Sequence, residues 1–193
     1  MTTAEQSSQV LSYFKDLMDW LEIPFCLFLG TALWAYRDWA FCPWDEDDMD
    51  VAVDIKYFNR VDDIKKAIVE QSQLTHVHDF IAQDGIAPEI SFSKRHNKQG
   101  DYTKIDIFFI SGEKDKNLFR FYLNDNAETH LNKYFDKKHW DTWDRVTFFW
   151  VEYNVPGDIE GYLESNYWKN WRTPIHRKDW SWSKDNLCPE FLS

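Results

Sequence analysis

Apolar residues spaced three or four positions apart indicate the helical segments of this chain. Near the start, Val10, Phe14 and Leu17 lie on one stripe of a 3.6-residue period. This spacing predicts an amphipathic helix over residues 7–22, with Ser7 or Ser8 as its N-cap. Helix-forming stretches further along predict four more helices, over residues 32–37, 57–71, 125–138 and 156–167. In the last of these, Pro156 is expected at the first helical position.

Short, continuous apolar runs between these segments predict β-strands. The first run, residues 25–29, stops at Gly30-Thr31, which we expect to turn the chain before the next helix. Further strands are predicted over residues 48–55, 74–82, 88–94, 102–110, 118–123 and 145–153. The polar stretch 93–101 contains Gly100 and predicts a hairpin loop. The length of 193 residues indicates a single domain, residues 1–193, with an aromatic and basic C-terminal extension from about residue 168.

Charge and composition narrow the range of partners. The net charge of −11 argues against sequence-independent binding to nucleic acid and against docking on an anionic membrane. No window of about 18 apolar residues exists, so we expect no insertion into a membrane. The three cysteines, Cys26, Cys42 and Cys188, are widely spaced without a CxxC pair, which fits a reducing, cytoplasmic environment. Aromatic residues make up 18% of the chain, and we expect some to line a groove for sugars or bases.

A dense group of acids precedes the second predicted strand. It consists of Asp45, Glu46, Asp47, Asp48 and Asp50. A solvated loop is the ordinary interpretation of such a run. However, Asp48 and Asp50 lie two apart at the start of a strand, so their side chains point the same way. Asp106 interrupts another apolar strand, where an acid is costly unless it is paired, hydrogen-bonded or bound to metal. If the two strands are neighbours, three carboxylates converge.

Three converging carboxylates are typical of a site for a hard divalent cation, Mg²⁺ or alternatively Mn²⁺. The cation would neutralise the acids and attract a phosphate, while an acid takes the proton of an acceptor hydroxyl. Gly30, between a strand and a helix, would present free backbone N–H groups to that phosphate. The reaction class indicated is transfer of a phosphoryl-type group from a nucleotide. The sequence contains no P-loop, GxGxxG, GxSxG or HExxH motif.

The order of these motifs resembles that of the LicD/fukutin-related family. The family pattern G-T/S-L-L-G-x-x-R-x-x-x-x-I-P-W-D-D-D-I-D is matched by Gly30-Thr31, Leu33, Arg37, Pro43-Trp44-Asp45 and Asp48-Met49-Asp50. The later I-D-I-F strand is matched by residues 105–108. The C-terminal signature P…YL…YG.W..P is matched by Pro156, Tyr162-Leu163, Tyr167, Trp171 and Pro174. One extra residue lies between Trp44 and Asp48, and Trp168 stands where the family has glycine.

The resemblance implies an α+β fold of the nucleotidyltransferase, DNA-polymerase-β-like type, with a mixed sheet flanked by helices. It also implies metal-dependent transfer of a phospho-alcohol, such as phosphocholine or ribitol phosphate, from a CDP-linked donor to a sugar or glycan hydroxyl. The residues carried over as metal-binding and catalytic are Asp48, Asp50 and Asp106, with Asp106 as the candidate base. The residues expected to bind substrate are Gly30, Thr31, Arg37 and Lys104.

Two other functions stay open at this point. A nucleotidyltransferase of the same fold would place a nucleoside monophosphate on a small molecule or protein. A non-catalytic nucleotide- or carbohydrate-binding protein would keep the site without turnover, although three intact acids argue against it. The C-terminal extension, which carries Arg172, His176, Arg177 and Lys178 among aromatics, either covers the body or faces a ligand.

Overall fold

The computed structural model describes residues 2–71, 74–96, 102–113, 115–122 and 130–175. The predicted loop residues 97–101 and the C-terminal residues 176–193, with His176, Arg177, Lys178 and Cys188, lie outside the described residues. The hairpin interpretation of that loop and the role of the terminal basic residues therefore stay predictions.

A mixed β-sheet forms the centre of the described structure. Its strands are β1 (Phe25–Leu27), β2 (Asp48–Asp54), β3 (Thr75–Phe80), β4 (Glu89–Arg95), β5 (Tyr102–Glu113), β6 (Lys116–Tyr122) and β7 (His130–Asp136). The order along the main path is β1-β2-β5-β4-β3, and the far end of β5 continues into a hairpin with β6, which pairs with β7. The β2–β5 pairing is parallel and the others are antiparallel. A separate hairpin consists of β8 (Trp143–Phe148) and β9 (Val151–Pro156).

Helices flank this sheet in the described residues. They are α1 (Thr3–Trp20), α2 (Leu29–Arg37), α3 (Val61–Gln71), α4 (Lys138–Asp141) and α5 (Ile159–Tyr167), with a 3₁₀ helix at Ile55–Arg60. The hydroxyl groups of Ser7 on α1 and Thr103 on β5 lie 3.2 Å apart and are both buried. Because Thr103 alternates with Lys104 along the strand, α1 covers the sheet face opposite to Lys104 and Asp106. No described helix is long and apolar enough to cross a bilayer.

The first helix starts earlier than the sequence predicts. Its N-cap is Thr2, not Ser7 or Ser8, because Thr2 and Glu5 form a reciprocal capping box. The Glu5 carboxylate accepts from the Thr2 N–H at 2.7 Å, and the Thr2 hydroxyl accepts from the Glu5 N–H at 3.2 Å. The predicted apolar stripe is buried as expected, with Phe14 completely inaccessible to solvent.

The predicted helix over residues 125–138 is wrong in its described part. Residues His130–Asp136 form strand β7 along the whole length of β6. Within β7, Lys133 and Phe135 are buried while the residue between them is more exposed, which is the two-residue period of a strand. Pairing with β6 along its whole length outweighs the local helical propensity of this polar segment.

The single strand predicted over residues 145–153 is a hairpin. Phe149 and Trp150 turn the chain between β8 and β9 with positive φ angles of 46° and 69°. Such turns favour Gly, Asn or Asp, so the aromatic pair gave no turn signal. The ring of Phe149 stacks on Phe41 at 5.3 Å, which holds the turn in place. Pro156 ends β9 and does not open the last helix, which begins at Ile159 instead.

Candidate active site

The parallel pairing of β2 and β5 brings the predicted acids together. In this register Asp50 lies beside Asp106, and Asp48 lies beside Lys104. Residues directly opposite one another on paired strands project from the same face of the sheet. The expectation that these two strands are neighbours is therefore confirmed. Asp106 is only 5% exposed, so it is not on a solvated strand face.

Gly30 and Thr31 do not form a turn but lie in the first turn of helix α2. The Gly30 N–H donates to Asp50 Oδ2 at 3.2 Å, and the Thr31 hydroxyl accepts from the Asp50 N–H at 2.9 Å. Helix α2 thus fixes both the carboxylate and the backbone of Asp50. A Cβ atom at Gly30 would lie 3.0 Å from the ring of Trp34, so close packing favours glycine there. Thr31 is completely buried, and its hydroxyl supports Asp50.

A tyrosine of helix α5 forms a hydrogen bond with the start of helix α2. The Leu29 N–H, at a residue with a φ of 41°, donates to the hydroxyl of Tyr162 at 3.3 Å. The Tyr162 ring packs against Phe28 with ring centroids 5.6 Å apart, and both residues are completely buried. The tyrosine of the C-terminal signature therefore positions the helix turn that binds Asp50.

Lys104 supplies the positive charge among the acids. Its Nζ atom lies 2.6 Å from Asp106 Oδ2 and 3.7 Å from Asp48 Oδ1. Burial alone would lower the pKa of Lys104, but the carboxylates of Asp106 and Asp48 outweigh burial and hold the pKa above its usual value. The other oxygen of Asp106 accepts a hydrogen bond from the Ser91 hydroxyl at 2.5 Å. Both oxygens of Asp106 are thus engaged within the protein.

Asp48 and Asp50 are less well compensated. Burial, and then repulsion from Asp106, raises the pKa of Asp48 to about 7. Burial, and then repulsion from Asp48, also raises the pKa of Asp50 well above its usual value. Although 41% of the Asp48 side-chain surface is exposed, its Oδ1 atom is completely covered and accepts no hydrogen bond. A positive charge placed here would relieve both the repulsion and the unsatisfied oxygen.

The donor set fits a hard divalent cation, because carboxylate oxygens are the ligands that Mg²⁺ and Mn²⁺ prefer. Within the described ranges, however, no three Asp, Glu, His or Cys side chains stand together as ready-made ligands of one ion. The ammonium of Lys104 lies between Asp48 and Asp106 instead. The observation that most favours a cation at this position is that Oδ1 of Asp48 is covered yet accepts no hydrogen bond from the described residues.

A cavity of about 630 Å³ opens over these acids. Its acidic end is lined by Gly30, Asp48, Asp50, Glu89 and Asp106. Its aromatic walls are formed by Trp34, Trp44, Phe108, Phe121, Tyr122, Tyr167, Trp168 and Trp171. Asn170, Thr173 and Ile175 complete the lining on the C-terminal side. The described part of the C-terminal extension therefore faces the cavity. This agrees with the alternative in which the extension faces a ligand.

Arg37 connects this C-terminal segment to the site. Its Nε and Nη2 atoms donate to both carboxylate oxygens of Asp38, at 2.8 and 2.6 Å. Its Nη1 atom donates to the Trp171 carbonyl at 2.9 Å, and its side chain lines the cavity. The contacts seen for Arg37 are thus structural, and a contact with substrate phosphate stays a prediction.

Sequence reasoning missed Glu89 on strand β4. Its side chain is 7% exposed and lines the cavity, and burial followed by repulsion from Asp106 raises its pKa well above the usual value. Glu89 and Ser91 alternate with the buried Ile90 and Phe92. Polar residues alternating with apolar ones inside a predicted strand are the same signal that marked Asp106, and this signal could have identified Glu89.

Trp168 has an unusual backbone conformation at the edge of the cavity. Its φ and ψ angles are 67° and 176°, a region that is almost restricted to glycine. This explains why the family pattern has glycine after the tyrosine corresponding to Tyr167. In this chain the strained position carries an indole that lines the cavity.

Comparison with known proteins identifies the family of this chain. A sequence model described as LicD/FKTN/FKRP, nucleotidyltransferase domain, matches residues 22–158, which is more than half of the chain. The chain belongs to the LicD/fukutin-related family. The resemblance drawn from the motifs is thereby confirmed, and the matched segment of this family includes Gly30, Asp48, Asp50 and Asp106.

Similar proteins within the family include three mammalian relatives. The ribitol-5-phosphate transferase FKTN of Mus musculus and that of Macaca fascicularis are each 27% identical over 198 residues, covering 98% of this chain and 38% of the relative. The same protein of Homo sapiens is 27% identical over 194 residues, covering 96% of this chain and 37% of the relative. The chain thus spans just under two fifths of the length of these relatives.

Proposed function

We propose that this protein transfers a phospho-alcohol from a CDP-linked donor to a hydroxyl group of a sugar or glycan, using Mg²⁺ or Mn²⁺. The observation that carries the proposal is the placement of Asp48 and Asp50 beside Asp106 on parallel strands at the end of one cavity. Membership in the LicD/fukutin-related family and the printed activity of the three relatives support it. We also propose that the mixed sheet is of the nucleotidyltransferase type, which the family description favours.

In the proposed reaction the oxygen of the acceptor hydroxyl forms a bond to the phosphorus next to the transferred alcohol. The bond from this phosphorus to the oxygen that bridges it to the nucleotide breaks, and the nucleoside monophosphate leaves with the electron pair. The acceptor proton passes to a carboxylate of the site, with Asp106 as the candidate base. The products are a phosphodiester on the sugar and CMP, so the atoms and charges balance.

The side chains of this protein have distinct roles in that reaction. Asp48, Asp50 and Asp106 would hold the divalent cation, whose chemistry is to neutralise phosphate charge and stabilise the leaving group. The Gly30 N–H keeps the carboxylate of Asp50 directed at the site. Lys104 has its ammonium 2.6 Å from Asp106 and would bind a donor phosphate. The aromatic walls would limit the number of water molecules that compete with the acceptor hydroxyl.

The test is product analysis with purified protein, Mg²⁺, CDP-ribitol or CDP-choline, and a panel of sugar acceptors. We expect the acceptor to gain a phospho-alcohol by mass spectrometry, with release of CMP. A gain of a nucleoside monophosphate would instead indicate the nucleotidyltransferase reaction and contradict the proposal. Asp48→Asn and Asp106→Asn should each lower transfer at least about 100-fold, because each removes charge stabilisation from the transition state.

The matched control is Asp62→Asn on the exposed surface of helix α3, which should transfer at the wild-type rate. Circular dichroism should show that all three variants are folded. Full activity of Asp48→Asn would exclude the proposed site.

A further inference from the structure

Asp45 and Glu89 both line the cavity, and neither has a place in the reaction described above. Glu89 is the more deeply buried of the two. It lies at the start of strand β4, and only 7% of its surface is exposed to solvent. Its carboxylate makes no hydrogen bond and no ion pair within the described part of the chain. A buried, unpaired carboxylate is costly, and proteins keep such groups mainly at functional sites.

Strand register shows where Glu89 lies relative to the proposed metal-binding acids. On β4, Ser91 pairs with Asp106 and Glu89 pairs with Phe108 of β5. All four side chains therefore project from the same face of the sheet. Glu89 precedes Ser91 by two residues, which corresponds to about 7 Å along the strand. It lies on the far side of Asp106 from β2, next to the aromatic part of the cavity.

The surroundings of Glu89 differ from those of Asp106. Asp106 accepts hydrogen bonds from Ser91 and Lys104, at 2.5 and 2.6 Å. Glu89 pairs with Phe108 across the sheet, and Phe121 and Tyr122 of the adjoining hairpin line the same cavity. The Tyr122 hydroxyl donates to the Ala87 carbonyl at 3.1 Å. The protein therefore leaves the carboxylate of Glu89 available to a ligand in the cavity.

The chemistry of this position selects the kind of ligand group. A carboxyl group offers no positive charge to a phosphate, so Glu89 does not bind the phosphates of a donor. A carboxyl group forms hydrogen bonds with hydroxyl groups in either protonation state, because it accepts from them and, when protonated, also donates. Aromatic rings beside it suit the C–H faces of a sugar or polyol. A polyhydroxylated ligand matches both features.

We propose that Glu89 is a hydroxyl-binding residue that determines specificity for a polyhydroxylated substrate in this cavity. The identity of that substrate rests on the proposed function. The hydroxyl groups belong either to the alcohol carried by the donor or to the acceptor sugar. Both present the same chemistry to Glu89, and the experiment separates them.

The decisive variant is Glu89→Met, which keeps the side-chain volume but removes the acceptor. Steady-state kinetics with CDP-ribitol and a sugar acceptor should show KM raised about 10- to 100-fold for the substrate that Glu89 binds, the range typical of losing a hydrogen bond to a charged group. Glu89→Gln keeps a neutral acceptor and should give an intermediate KM. A raised donor KM identifies the alcohol of the donor, and a raised acceptor KM identifies the acceptor sugar.

Binding measurements test Glu89 without the reaction. Saturation-transfer NMR with ribitol 5-phosphate and with the acceptor sugars should show binding to the wild type that Glu89→Met loses. CDP with Mg²⁺ should bind the wild type and Glu89→Met equally, because Glu89 is not among the residues proposed to hold the cation or the phosphates. The matched control is Glu70→Met at an exposed position of helix α3, which should leave all these values unchanged.

Folding of the variant is checked by its melting temperature. Glu89→Met removes a buried carboxyl group that makes no hydrogen bond within the described residues, so its Tm without metal should rise by about 2–4 °C. A fall in Tm would indicate a structural role for Glu89 and overturn the inference. Unchanged KM values and unchanged NMR binding in Glu89→Met would overturn it as well.

The outcomes for the two proposals are separable. Transfer by the wild type with no effect of Glu89→Met supports the proposed function and overturns the hydroxyl-binding role. Glu89-dependent binding of ribitol 5-phosphate or a sugar without any transfer supports the hydroxyl-binding role and contradicts the proposed function. Absence of both binding and transfer in the wild type overturns both.

Discussion

Two clusters of buried charge in this protein are built in opposite ways. The guanidinium of Arg120 on β6 is 4% exposed and donates to both oxygens of Asp84, at 2.6 and 2.7 Å. It also donates to Asn132 Oδ1 and to the Ile86 carbonyl, both at 2.8 Å. Across the sheet, Asp48 and Asp50 lie side by side on one strand, with a single nearby ammonium for several carboxylates.

The difference separates a structural cluster from a candidate functional one. Around Arg120 the hydrogen bonds from its three nitrogens join the segment before β4 to strands β6 and β7. At Asp48, one covered oxygen accepts no hydrogen bond from the described residues, and the Lys104 ammonium lies 3.7 Å from it. Burying charge with little compensation lowers stability, so we interpret the acidic cluster as a candidate site for a cation and a substrate.

The largest expected effect comes from binding of a divalent cation at the acidic cluster. Mg²⁺ at about 100 times its dissociation constant should stabilise the wild type by about 2.7 kcal/mol, which raises Tm by about 5–10 °C. Asp50→Asn should lose most of this shift, while Asp62→Asn should keep it. Differential scanning fluorimetry with and without EDTA measures the shift. An equal shift in Asp50→Asn would place the bound ion elsewhere.

The second prediction concerns the cluster around Arg120, in which the buried charge is fully paired. Asp84→Ala removes both acceptors of the buried Arg120, which should lower the free energy of unfolding by about 2 kcal/mol. The loss stays at this level because 46% of the Asp84 side chain is exposed and water can reach the pair. Tm should fall by about 4–8 °C, independently of Mg²⁺. Urea denaturation measures the loss, and Asp62→Ala on the surface of α3 is the control.

A third prediction concerns strain at the acidic cavity. Trp168→Gly and Trp168→Ala both remove the indole, but only glycine relieves the backbone conformation at a φ of 67°. Trp168→Gly should therefore be more stable than Trp168→Ala by about 1 kcal/mol, or about 2–4 °C in Tm. Equal Tm values would show that this residue carries no strain. The two variants should share the same change in KM, because neither retains the indole that lines the cavity.

The smallest expected effect is the dependence of stability on pH, and it differs in sign between the clusters. The pKa of Asp48 is raised to about 7, so the folded protein binds a proton that the unfolded chain, with a pKa of about 3.9, does not. In EDTA, this contribution therefore favours folding as pH falls from about 7 toward about 4. The change should be about 2 °C, because Asp48 is partly exposed, and Asp48→Asn should abolish it.

At Asp84, in the cluster around Arg120, the dependence of stability on pH has the opposite sign. Hydrogen bonds from Arg120 hold the pKa of Asp84 below its usual value. Its stabilisation is therefore present above the unfolded pKa of about 3.9 and is lost as pH falls through the folded pKa. Thermal unfolding of wild type and Asp84→Ala between pH 2 and pH 5 should show the two curves converging toward low pH.

Local patterns in the sequence predicted much of the site. Asp48 and Asp50 follow from their two-residue spacing at the start of a strand, and Asp106 follows from its place in an apolar strand. The predicted strands β2, β4 and β5 and helices α1 and α2 agree with the structure except at their ends. These predictions succeeded because the signals are local and their periods differ clearly between helix and strand.

Other features depend on contacts between distant residues and could not be predicted locally. Strand β7 forms because β6 offers a partner, although its own sequence favoured a helix. The β8–β9 turn places two aromatic residues at positive φ, because Phe41 provides a ring for Phe149 to stack on. The contribution of Glu89 to the cavity requires the antiparallel pairing of β4 with β5.

The sequence by itself determined the acids, their spacing and the family to which the chain belongs. Only the tertiary structure decided that Lys104 lies between Asp48 and Asp106 and that Arg37 donates a hydrogen bond to the Trp171 carbonyl. It also decided that Glu89 has no hydrogen-bond partner among the described residues. The physical reason is that spacing along a chain specifies which face of an element a side chain occupies. Which groups compensate its charge depends on strands and helices that pack beside it from elsewhere in the sequence.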